Sequence, residues 1–202
     1  MTPILFTPLI VEAALSAVLA PLAGVATWPP RRVAFACGAA CAVIVISLAT
    51  AIGATTADVR SLAAAQLTVT VGALALAGVG AACAALLRDV LDAAACAVSI
   101  GLVATFGILA AGPRVGDLPT PLVNAALLAS PVVATASAAN VDILRGDILY
   151  RLSPIAHRRF EYPSWYGASA LFTGVAAAGF TLAAARTRRV VDRRIDLLKR
   201  TS

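Results

Sequence analysis

The sequence predicts an all-α fold: a polytopic membrane helix bundle of about five transmembrane helices plus an external re-entrant helical hairpin. Three observations carry this. Of the 202 residues, 60% are hydrophobic and only 13% charged, where soluble domains average about 25% charged. The deficit is concentrated in nearly charge-free runs of about 20 residues or more, long enough to cross a bilayer. The connections between these runs are too short to hold a soluble domain. Mean hydropathy is accordingly high, at +0.91. The net charge of +6 would point to nucleic acid in a soluble protein. Here residues 186–202 hold seven basic and two acidic residues, a charge excess that anchors the inner side of a membrane protein. The expected partner is therefore the lipid bilayer and not nucleic acid.

Taken in order, residues 1–185 form the transmembrane domain and residues 186–202 a basic cytoplasmic tail. The first span covers residues 4–28. It carries Pro8, Pro21 and a lone acid, Glu12, and is too long and too poor in N-terminal basic residues to be a cleavable signal peptide. WPPRR (28–32) closes it with an interfacial Trp, a double proline and two arginines. The second span covers 33–54, and TTADVRS links it to a third at 62–87, where Gly72, Gly78 and Gly80 lie among alanines. Arg88, Asp89 and Asp92 mark a tight turn into a fourth span at 92–111. GPRVGDLPTP is a Pro/Gly loop. A last span covers 166–185. Small residues on nearly every span are packing faces, and Gly174 with Ala178 is read as one such pair. The tail, with Val190, Val191, Ile195 and Leu198 at helical spacing, reads as an amphipathic helix on the anionic inner leaflet, with docking to a cytoplasmic partner as the alternative.

Residues 122–164 are the ambiguous stretch. The apolar run from Leu122 is broken by Pro131 and ends at Asp142, followed by a polar, Arg-bearing segment. If it does not cross, Arg31, Arg32, Arg88 and the seven basic tail residues share one face, against Arg60, Arg114, Arg145, Arg151, Arg158 and Arg159 on the other. The richer face is inside. The N-terminus is then outside and the C-terminus cytoplasmic, as expected for a bacterial plasma membrane protein. If the stretch crosses, Arg31 and Arg32 are separated from the tail and the bias weakens. A short, proline-broken run also suits a re-entrant helix.

Local patterns over most of the chain resemble those of the permease subunits of type-2 ABC exporters. WPPRRVAFACGAACAVIVI resembles that family's cytoplasmic "PLS-R-E-I-hydrophobic" lead into its third span. GAACAALLRDVLDAAACAVSIGLVATFGI is similar to its "LLSALLRRT-A-A" turn between the fourth and fifth spans. NAALLASPVVATASA resembles its "LLNP-ALLSAL" stretch. The resemblance implies a re-entrant external pair before the last span, a second permease subunit (homo- or heterodimer) and a separate P-loop ATPase. It sets the first span here on the family's second, so the family's first span and N-terminal helix have no counterpart. The family's acidic "E-R-E-x-G-T" coupling segment is reduced to residues 27–32.

Several residues are functional candidates. Glu12 is the one ionisable residue deep in a span. A carboxylate at the bilayer centre costs roughly 2.5–3.5 kcal/mol on insertion scales, so it lines a conduit or lies shallow and snorkels. Pro29, Pro30, Arg31, Arg32, Arg88 and Asp89 are the ATPase-coupling candidates, with a plain inside anchor and a solvated turn as the simpler readings. Asn124, Pro131, Arg158, Tyr162 and Trp165 are candidates for an external gate, and the aromatics among them equally suit an interfacial belt. Cys37, Cys41, Cys83 and Cys96 lie in apolar spans and read as small packing residues. His157 lacks a companion at ligand spacing. No P-loop, nucleophile–base arrangement or HExxH helix is present, so no enzyme activity, metal or cofactor is expected. The competing function is that of a structural subunit in a larger membrane complex.

Overall fold

The computed structural model describes residues 7–26, 56–111, 115, 118–143 and 162–201. Among them every element is an α-helix: α1 (Thr7–Ala26), α2 (Thr56–Leu86), α3 (Val90–Ala111), α4 (Thr120–Ala129), α5 (Pro131–Ala138) and α6 (Trp165–Thr201). Four of them carry apolar stretches long enough to span a bilayer: Leu9–Ala26, Val59–Leu86, Val90–Ala111 and Trp165–Arg188. The chain is a polytopic membrane helix bundle, and it is an integral membrane protein. The second expected span, 33–54, lies outside the described residues.

α2 is the central helix, packed by α1, α3, α5 and α6. Its contacts fix the direction of each neighbour. Leu9 of α1 clusters with Leu62 and Ala13 with Val69, while Gly24 abuts Ala77 and Pro21 abuts Gly80. α1 and α2 are therefore parallel. Phe172 of α6 lies against Gly72, and Ala176 and Gly179 against Gly78, so α6 is parallel to α2 as well. α3 returns after the turn at Leu87–Asp89 and is antiparallel to all three. The bundle has an aromatic end, with Leu9, Ser61, Ala111 and Trp165, and an arginine end, with Ala26, Arg88 and Arg186. α1 finishes at the arginine end, whereas α2 begins at the aromatic end.

Close backbone approach holds the helices together, as expected where lipid removes any hydrophobic drive for association. A Cβ on Gly80 would collide with the carbonyl of Pro21, and one on Gly24 with that of Ala77. Pro21, inside α1, removes the helical N–H donor of the Ala17 carbonyl, and that oxygen is packed against Gly101 of α3. The expected Gly174/Ala178 packing pair is not one. Among the described residues nothing lies within 4 Å of a Cβ placed on Gly174, and both residues are exposed. The packed face of α6 is Ala176 and Gly179 instead, because the phase of an Ala-rich helix puts small residues on every side.

α4 and α5 form the re-entrant pair. Pro119 and Pro121 start α4, and Ile108 of α3 packs with Val123 and Leu127. At Ser130 the axis bends by 80°. α5 then climbs back along α2: Pro131 meets Gly72, Val132 meets Val69, Ala138 meets Leu62, and Asn140 reaches Ser61. Both ends of the pair lie at the aromatic end. α5 closes on a Schellman motif, with Asn140 left-handed at φ 55 and bonds from Val141 N–H to the Ala136 carbonyl and from Asn140 N–H to that of Ser137.

The tail departs from the surface-lying amphipathic helix expected of it. α6 runs for 37 residues without interruption to Thr201, roughly 55 Å at 1.5 Å per residue. No Gly or Pro follows Gly179, so nothing breaks the last span where it leaves the membrane.

Candidate functional site

Glu12 lies in the seam between α1 and α2. It is half-buried, and its Oε1 accepts a hydrogen bond from Gln66 Nε2 at 3.2 Å. The carboxylate is five residues into α1, so roughly 7.5 Å from the helix start and in the aromatic-end half. The side chain faces α2 across the α1–α2 seam. Gln66 is only 7% exposed, and its Oε1 has no hydrogen-bond partner among the described residues. A buried carboxamide with an open acceptor beside a carboxylate is the most polar point of the α1–α2 seam. It can receive a hydrogen-bond donor but offers no nucleophile–base pair.

Next to this seam, side chains pin the returning end of the re-entrant pair. Asn140 Nδ2 donates to Ser61 Oγ at 3.3 Å, Ser137 Oγ to the Pro163 carbonyl at 2.8 Å, and the Tyr162 phenol to Asp142 Oδ1 at 2.5 Å. At the bend, Ser130 Oγ donates to the Thr105 carbonyl at 2.8 Å and accepts from Val133 N–H, capping α5.

The external-gate candidates divide accordingly. Pro131 is fully buried at the bend. Tyr162 packs on the α3–α4 cluster. Trp165 packs on the Leu9–Leu62 cluster and stacks on Tyr166 with ring centroids 3.6 Å apart. Asn124 is exposed on α4, apart from the hydrogen bonds that pin the pair. Arg158 lies outside the described residues, as do Pro29, Pro30, Arg31, Arg32, Cys37, Cys41 and His157. The remaining coupling candidates, Arg88 and Asp89, are exposed at the arginine end. Asp89 Oδ1 accepts from Leu91 N–H at 2.6 Å, capping α3. Among the described residues no group of three His, Cys, Asp or Glu is placed to hold a metal ion.

Two features escaped the sequence reading. Gln66 was legible as an amide inside an apolar run, but its pairing with Glu12 depends on the parallel course of α1 and α2. Cys83 and Cys96, both free thiols, face each other with sulfurs 4.0 Å apart. Their near-symmetric spacing about the Arg88–Asp89 turn was the available signal.

Comparison with family models, with curated proteins and with solved structures yields no match.

Proposed function

We propose that this chain is the membrane-spanning permease subunit of an ABC-type exporter in a bacterial plasma membrane, with its N-terminus outside and its C-terminus cytoplasmic. It pairs with a second permease, a copy of itself or a sister chain, and a separate P-loop ATPase drives the pair. The observation that carries this reading is the re-entrant α4–α5 pair, which leaves and returns at one end of the bundle and precedes the last span in the chain. The resemblance in sequence implies that same order of parts: a charged hairpin, a re-entrant pair, a last span and a basic tail. The basic tail and Arg88 share the opposite end, which suits the inside and a cytoplasmic ATPase. ATP-driven movement at the arginine end would open and close a conduit between two permeases.

A second reading, a non-transporting structural subunit of a larger membrane complex, has its own support. Among the described residues, the buried polar side chains are Ser16, Gln66, Thr68, Thr105, Ser130 and Thr135, all near mid-helix or in the aromatic-end half. No polar path therefore runs through the described part of one chain. Transport would need an interface with a second chain, and a structural subunit needs none. Purification from mild detergent with identification of the bound subunits separates the two. An ATPase with a P-loop is expected among the partners, and a stable complex lacking any ATPase sinks the exporter reading.

A further inference from the structure

We propose that the cavity at the arginine end of the bundle is a binding site for an anionic phospholipid of the adjacent leaflet. The cavity encloses about 410 Å³ between the ends of α1 and α2, the first turn of α3, and α6. Its floor is made of small apolar residues, among them Gly24, Ala81, Ala84 and Ala183, and its rim carries Arg88, Arg186 and Thr187. The two arginines come from separate elements, the α2–α3 turn and α6, and neither has an ion-pair partner among the described residues. Asp89, the one acid on the lining, has Oδ1 engaged by Leu91 N–H. Two guanidiniums against one carboxylate leave the rim with a net charge of +1 over an apolar floor, which is the complement of an anionic headgroup with its first methylenes.

The surroundings decide for a lipid over a water-borne anion. Leu86, Leu87, Val90 and Leu91 flank the arginines and are 39–79% exposed. Apolar side chains at that exposure belong in the hydrocarbon boundary, so the mouth of the cavity opens where phospholipid headgroups lie. Guanidinium groups hold phosphate through paired hydrogen bonds as well as charge. The site is independent of whether the chain transports anything.

The test is native mass spectrometry of the full-length protein, released from detergent containing equal phosphatidylglycerol and phosphatidylcholine. With about 1 kcal/mol for each basic residue near the phosphate, the wild type should retain phosphatidylglycerol roughly 30-fold over phosphatidylcholine. The R88Q/R186Q protein should lose most of that preference. An R193Q/R194Q protein, which loses the same charge from the tail, should keep it. Ala85→Leu, which fills the lining without changing charge, should also release the lipid. Equal retention of the two lipids by wild type overturns the site, as does an equal loss in the tail variant. Competition by glycerol phosphate as strong as that by whole lipid would assign the cavity to a soluble anion and overturn it too.

Discussion

Glu12 and Gln66 form a polar contact that an apolar seam has to accommodate. Removing Glu12 strands the Gln66 carboxamide. Glu12→Leu leaves the Gln66 carboxamide buried with neither end paired to α1, a loss of about 1–3 kcal/mol. Replacing both with Leu removes the stranded group, so E12L/Q66L is expected to recover part of that loss. Unfolding titrations in mixed detergent micelles check this, and additive losses in the double variant would show that the contact at 3.2 Å contributes no coupling. Ser130 is the second telling residue. Its hydroxyl caps α5 and ties the bend to α3, and it is wholly buried. Ser130→Ala should destabilise by about 1–3 kcal/mol, a lost cap plus a lost buried bond, read in the same titration. A neutral effect would mean that Pro131 alone sets the bend. The break itself was legible in the sequence, because Ser-Pro marks the start of a helix. The partner of the hydroxyl was not, since Thr105 lies 25 residues away on another helix.

The helices themselves were largely legible, and their faces were not. Length and hydropathy place α3 and the start of α6 within two residues of the expected spans, α2 starts six residues early, and α1 lies inside the expected 4–28. Facing is readable when apolar and polar residues alternate around a helix, but these spans are apolar all round. Hence the sequence offers Gly174 and Ala178 as a packed pair, whereas Gly179 and Ala176 hold that place against Gly78. The difference is measurable. Gly80→Leu must force apart α1 and α2 at the Pro21 carbonyl, and overpacking of this kind costs typically 1–3 kcal/mol or more. Gly174→Leu meets nothing among the described residues and should leave monomer stability unchanged. Equal destabilisation by the two would contradict the helix phases described above.

The course of the whole chain follows from which helices are parallel. α1, α2 and α6 run from the aromatic end to the arginine end, and α3 alone runs back. From α3 to α6 the chain leaves and re-enters at the aromatic end, because α4 and α5 turn at Ser130 and climb out along α2. α1 finishes at the arginine end and α2 begins at the aromatic end. The charge count in the sequence carried the same parity, since only a non-crossing 122–164 segment puts Arg31, Arg32, Arg88 and the tail on one face. Single cysteines in a cysteine-free background test it with a membrane-impermeant thiol reagent. Asn124 and Ser164, both exposed on the aromatic side of the re-entrant pair, should be labelled from the same side of the membrane, and Arg88 and Arg186 from the other. Labelling of Asn124 and Ser164 from opposite sides would require α4 and α5 to cross. The basic tail would then change faces relative to Arg88, and the joint lining of one cavity by Arg88 and Arg186 could not stand.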